Sequence, residues 1–204
     1  RRKARFVDPD FPASSESLGA PHFGKGNKTV SSWRRPAELN YVPALFSDAE
    51  GGGHEGGNDL TRLDTAQETV GASKLCDSIE QGSLGDCWLL ASIASVASID
   101  GRANDALIRE MFSPPSYNPF GFYSVRLRVD GEDRWIVVDD TIPCHETGKT
   151  GGVEVNGTPI GPTFSCSRDG REIWVMMLEK AFAKLHGSSR TRMQNPPKWV
   201  KIDI

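Results

Sequence analysis

From Ile173 to Leu185 the chain repeats apolar residues at the three- and four-residue spacing of a helix. Ile173, Trp174, Met177, Leu178, Ala181, Phe182 and Leu185 fall on one side, while Glu179, Lys180 and Lys184 fall on the other. That pattern predicts a helix with one buried face, which needs a packed core to lie on, and Gly187 is placed to end it. Cys87 to Ala97 predicts a second, more buried helix, because Leu90, Ile93, Ala94 and Ala97 recur at helical spacing with small residues between them; Asp86 is placed as its N-cap. Asp105 to Phe112 reads as a shorter helix ended by Ser113, Pro114 and Pro115.

Strand signals sit between these helices. Phe122 to Val129 alternates apolar and polar residues, and Asp130-Gly131 turns the chain into Trp135 to Val138, which predicts a β-hairpin. Cys144 to Pro162, rich in glycine and threonine, reads as a loop or irregular hairpin. Residues 6 to 47 carry five prolines and scattered aromatics without periodicity, so they read as an extended lead lying on the core through Phe6, Phe11, Trp33 and Phe46. Five glycines with acidic residues and His54 between Asp48 and Asn58 have the composition of an inserted flexible loop. No internal repeat is visible, and the fold class expected is α+β.

Within this framework the octet Gln81-Gly82-Ser83-Leu84-Gly85-Asp86-Cys87-Trp88 places a cysteine where a short loop enters a helix. The first N–H groups of a helix carry partial positive charge, so a cysteine there has its thiolate form favoured. Gln81 offers a side-chain amide able to fold back over the thiol and donate to a developing oxyanion. The competing reading of Cys87 is a core cysteine at a helix start, for which a glycine-bearing loop and a glutamine are not required.

The remaining candidates read more simply. Cys76, Cys144 and Cys166 form no C-x-x-C pair with each other or with Cys87, so zinc is not expected, and reduced structural or surface thiols are. His22, His54, His145 and His186 each read as surface residues, with His186 at a helix end, and Asn156 and Asn195 read as turn residues. A net charge of −3 argues against a nucleic-acid partner. No run of about 18 apolar residues is present, so no membrane span is expected, and the N-terminus lacks a secretory h-region. The expected location is therefore cytoplasmic, with a nuclear one left open by Arg1 to Arg5, which otherwise reads as a solvated terminus.

The octet resembles the active-site cysteine motif of the calpain family of cysteine proteases, matched by Gln81, Gly82, Gly85, Asp86, Cys87 and Trp88. Further blocks resemble that family in the same order. Upstream stand Phe6 to Pro12 with Ser17-Leu18-Gly19, then Trp33-Arg34-Arg35-Pro36 with Glu38, then Pro43-Ala44-Leu45-Phe46. Downstream stand Trp135 to Asp140 with Pro143, and Trp174 leading into Leu178 to Leu185. The similarity covers roughly residues 6 to 189, and ordered blocks are far more specific than one octet.

The resemblance implies a papain-like half: a mainly helical first subdomain over residues 73–189 with a β-hairpin, an extended lead over 1–47, a glycine-rich acidic insertion over 48–72, and a tail over 190–204 that departs from the family pattern. It implies a calcium-dependent intracellular cysteine endopeptidase acting on protein substrates. Cys87 would be the nucleophile, Gln81 the oxyanion-hole donor and Trp88 a shaper of the cleft. Calcium is implied through a glutamate matched by Glu172 and an aspartate whose position carries Ser78, with Asp77 one residue away; ordinary charge at helix and loop starts is the competing reading of Glu172 and Asp77. Asp139-Asp140, closing an apolar strand, is expected to be structural. In calpains the catalytic histidine and asparagine lie in a second subdomain, so this chain reads as a fragment carrying one side of a cleft and is expected to be inactive alone. The alternative is a catalytically inactive calpain-like module that binds a second protease subdomain or an inhibitor protein.

Overall fold

The computed structural model describes residues 4–18, 30–39, 43–46, 74–82, 87–98, 101–147, 153–155, 157–168 and 172–186. Its helices are α1 (Ser15–Leu18), α2 (Lys74–Ser78), α3 (Cys87–Ser98), α4 (Gly101–Glu110) and α5 (Trp174–Leu185), with a 3-10 turn at Pro36–Glu38. Its strands are β1 (Ser32–Arg34), β2 (Ile79–Glu80), β3 (Phe112–Ser113), β4 (Phe122–Val129), β5 (Glu132–Asp139), β6 (Ile142–Glu146), β7 (Val153–Val155), β8 (Thr158–Pro162) and β9 (Cys166–Ser167). They pair as a four-stranded sheet ordered β1-β6-β8-β7, a three-stranded sheet β3-β4-β5 and a two-stranded ribbon β2-β9. The insertion over 48–72, the tail over 190–204, His22, His54, Asp86, Asn156, Gly187 and Asn195 lie outside the described residues. No described helix is long and apolar enough to cross a membrane.

The expected helix at Ile173 to Leu185 forms, but it has no solvent face along most of its length. All residues from Trp174 to Ala183 are buried. Glu179 is 2% exposed and Lys180 7%, against the outward placement the spacing predicted. The cause is the non-local packing around α5. The β4–β5 hairpin lies against it, the lead crosses it, and each inward charge meets a partner, as buried charges must. The lead also supplies its cap: the Ile173 and Trp174 N–H groups donate to the carbonyls of Ala44 (3.0 Å) and Leu45 (3.2 Å). Phe46 stacks on Trp174 with ring centroids 6.1 Å apart.

The predicted hairpin is present and longer than its signal. β4 and β5 pair from Phe122↔Asp139 to Val129↔Glu132, and the inward-facing Tyr123, Val125 and Val138 are fully buried. Asp130 and Gly131 both have positive φ, 53° and 82°. That is the two-residue turn whose twist matches the strands. A Cβ at Gly131 would meet nothing within 4 Å, so Gly131→Ala should carry only the backbone penalty of about 1 kcal/mol. A thermal melt should show a fall of about 2–4 °C.

The segment from Cys144 to Pro162 is more regular than its composition suggested. β6 runs between β1 and β8, with Trp33 opposite Pro143 and Cys144 opposite Pro162, while β7 and β8 form a short hairpin. Strand therefore rivals helix among the described residues, and the expected mainly helical character gives way to an even α+β mixture. The lead lies on the core as expected, with Phe11 and Phe46 buried. Its polar anchoring was not legible. The buried Asp8 takes Lys184 Nζ on both carboxylate oxygens at 2.8 Å, and its N–H donates to Asp139 Oδ2 at 2.9 Å. Arg35 pairs with Asp140 and donates to the Phe6 carbonyl at 2.6 Å.

Candidate active site

Gln81 sits where α2 and β2 run out, and its place follows from what β2 pairs with. Ile79 lies opposite Ser167 and Glu80 opposite Cys166, and the Arg168 N–H donates to the Ser78 carbonyl at 2.7 Å. Continued by two residues, this antiparallel register sets Gln81 opposite Ser165 and Gly82 opposite Phe164. Ser165 is itself fixed, since its backbone N–H (2.9 Å) and its hydroxyl both donate to Glu179 Oε2 on α5. Gly82 lies hard against the Phe164 backbone: a Cβ there would be 2.6 Å from the Phe164 Cα and closer still to its carbonyl. Only glycine allows the two strands to run this close. The exposed Gln81 side chain is thus carried by a ribbon tied to the core helix.

Residues 83–86 lie outside the described residues, and the chain is described again at Cys87, the exposed first residue of α3. The helix buries Leu89, Leu90, Ile93 and Ala97, which leaves Cys87 on the opposite, solvent side of its first turn. Trp88 is half-buried and meets Phe182 of α5 edge-on, with centroids 5.6 Å apart at 69°. Its carbonyl accepts the Ser92 hydroxyl at 2.8 Å. Cys87 and Gln81, six residues apart in the chain, are both open to solvent. An accessible thiol at a helix start and an exposed amide donor are the groups that acyl chemistry asks of one cleft wall.

The other candidates are sorted by their surroundings. Cys144 is fully buried and burial pushes its thiol up to about 12, so it is a core residue, in line with expectation. His145, expected at the surface, is buried on β6 opposite Gly161. Central placement in the four-stranded sheet encloses it, a consequence of the β1 pairing that its local sequence does not reveal. His186 does end α5, with its backbone N–H on the carbonyls of Ala183 (3.1 Å) and Phe182 (3.3 Å). Asp139 and Asp140 are structural: burial pushes the Asp139 carboxyl up, but Lys180, the Asp8 N–H and Thr141 together hold it below the ordinary carboxylate range. Sequence reasoning missed Ser165, Glu179, Phe164 and Phe182 as supports of the site. Phe182 read as core, and Glu179 read as solvent-facing.

The residues proposed for calcium fit it poorly. Glu172 is buried and accepts the Trp174 indole N–H at 3.2 Å. Ser78 brings a hydroxyl in place of a carboxylate, and that hydroxyl donates back to the Leu75 carbonyl at 2.9 Å. The Asp77 side chain lies outside the described residues. Calcium favours six to eight hard oxygens, and no cluster of three metal-capable side chains forms among the described residues.

The family profile described as calpain family cysteine protease matches residues 6–195. The calpain-type cysteine protease ADL1 of Oryza sativa subsp. japonica is 35% identical over 191 residues, covering 90% of this chain and 7% of the rice protein. Calpain-8 of Rattus norvegicus is 32% identical over 185 residues, covering 90% of this chain and 21% of its own. The calpain-1 catalytic subunit of Homo sapiens is 33% identical over 190 residues, covering 90% and 20%. The chain thus spans between 7% and 21% of the length of these relatives. With a family match over residues 6–195 and relatives 32–35% identical over about 90% of it, the chain belongs to the calpain family of cysteine proteases.

Proposed function

We propose that this chain forms the cysteine-bearing half of a papain-like cysteine endopeptidase that cuts protein substrates inside the cell. The observation that carries this reading is the exposure of Cys87 at the first residue of α3, with Gln81, six residues before it, exposed as well. The Cys87 sulfur attacks the scissile carbonyl carbon and the π pair moves onto oxygen, where the Gln81 amide and the Cys87 backbone N–H donate to it. Collapse of the intermediate breaks the C–N bond, the amine leaves with a proton from an imidazolium, and water hydrolyses the thioester. Trp88 shapes the cleft beside the sulfur. The imidazole and the amide that orients it belong to the second subdomain the family resemblance implies; His145, enclosed in β6, and His186, which ends α5, are not assigned to that role. Free thiols at Cys87 and Cys144 support a reducing, intracellular setting. Calcium enters from the resemblance alone.

The test is cleavage of an unstructured protein substrate by this chain mixed with a calpain second subdomain that carries the histidine and asparagine, and by Cys87→Ala in the same mixture, each with calcium and with chelator. Cleavage should vanish in Cys87→Ala, a loss of at least about 10^3-fold, and a calcium-stimulated rate would place the ion in the mechanism. A folded chain that cuts nothing in either condition when the second subdomain is supplied sinks the enzyme reading and leaves a binding module of the same family.

A further inference from the structure

The candidate nucleophile stands on a helix that packs mainly within its own neighbourhood. α3 lies on α2 and α4, whereas α5 lies on the hairpin and β9. An aromatic contact crosses between the two groups: Trp88, directly after Cys87, rests edge-on against Phe182. Phe182 is buried, and on its other side the His186 ring sits 4.5 Å from its centroid. The Phe182 ring is thus held from its own helix as well as from Trp88. α3 is 12 residues long, near the length at which a helix is marginal without tertiary support, and its first turn is where it frays. Leu89, Leu90, Ile93 and Ala97 anchor the body of the helix in the core. Of the first two residues, Trp88 reaches a buried partner on another element.

We propose that Phe182 is a positioning residue for Cys87, acting through Trp88: its ring keeps the first turn of α3 wound and so fixes the side toward which the thiol is presented. The proposal deepens the reading of Cys87 as nucleophile and rests on it for its consequence, but the mechanical contact can be tested separately. Adjacent helical residues are locked at a fixed rotation about the axis, so a Trp88 that swings carries Cys87 with it. Leucine at position 182 keeps apolar bulk and loses the ring face that meets the indole edge.

The experiment uses two readouts on the full chain. Amide hydrogen exchange at Ala91 and Ser92 reports the turn, because their N–H groups close onto the carbonyls of Cys87 and Trp88. Alkylation of Cys87 by iodoacetamide, followed by peptide mass across pH, reports the thiol. In Phe182→Leu, exchange at Ala91 and Ser92 should quicken and Cys87 alkylation at pH 7 should slow, each by about tenfold. Phe182→Tyr, which keeps the ring, should restore both. Leu127→Ala on β4 should lower the melting temperature and move neither, which separates positioning from general destabilisation. Unchanged exchange in Phe182→Leu, or a Phe182→Tyr that behaves like it, overturns the positioning role. A native Cys87 that iodoacetamide fails to label overturns the nucleophile reading instead, and the exchange data still decide whether Phe182 holds the turn.

Discussion

Gly82→Ala is expected to lower the melting temperature by about 6–12 °C and to cut any cleavage by the native chain by about 10^2-fold. The added Cβ would overlap the Phe164 carbonyl and lie 2.6 Å from its Cα, so backbone has to move. Neither side yields easily. The 164–168 strand is tied to α5 through Ser165 and Glu179, and the 78–82 strand is tied to it through the β2-β9 pairs and the Arg168 N–H. Overpacking against fixed structure costs about 3 kcal/mol, which for a chain of this size is about 2–4 °C per kcal/mol. The loss of activity follows from Gln81, next to the displaced residue: an oxyanion donor moved out of reach costs about 10^2- to 10^3-fold. A melting temperature within a degree of native would show that the two backbones are not in contact. A large fall in melting temperature with undiminished cleavage would show that the ribbon is structural and Gln81 is not the donor.

What the sequence made legible was local. The helix beginning at Cys87 and the Asp130-Gly131 turn are written in short-range spacing and turn chemistry, and both stand where that chemistry puts them. What it hid was carried by contacts between distant segments. Trp33 pairs with Pro143 across 110 residues of chain, and this lead strand draws Cys144 and His145 into a sheet, although glycine and threonine around them read as loop. Glu179 and Lys180 keep helical spacing on the polar side of α5, so a periodicity argument turns them to solvent; Ser165 and Asp139, which arrive from elsewhere, make burial tolerable. At the candidate site the same division holds. The Cys87 helix start is local, whereas the surfaces that aim it, Phe182 beneath Trp88 and Phe164 against Gly82, are reached only through the folded chain.

Lys180→Ala is expected to cost about 3–5 kcal/mol at pH 7, because it removes one partner of a buried ion pair and leaves the other charged. Asp139 is fully buried. It receives the Lys180 ammonium, the Asp8 N–H at 2.9 Å and the Thr141 N–H at 3.0 Å. Lys180 Nζ in turn meets the carbonyls of Asp139 (3.0 Å) and Thr141 (2.8 Å) and the Thr141 hydroxyl (3.0 Å). Burial pushes this amine toward its neutral form and Asp139 opposes it; the ammonium is the form these oxygen acceptors and an ionised Asp139 call for. The pH dependence gives the sharper test. In the native chain the Asp139 carboxyl lies below its ordinary value of 3.8, so its contribution is present above that value and is lost only as pH falls through the lower, folded one. Without Lys180, burial dominates and the folded value rises above the ordinary one, which reverses the sign: the variant regains stability as Asp139 takes up a proton. Asp140, raised by burial against the pull of Arg35 and raised further by Asp139, is coupled to the same pair and titrates with it. Melts at pH 7 and pH 4.5 should therefore show the gap between native and variant shrinking by more than half in acid. Lys180→Met with Asp139→Asn should recover part of the loss, because no bare charge is left buried. A gap of equal size at both pH values would mean that Lys180 holds α5 by packing against Phe11 and Trp33 and not by its charge.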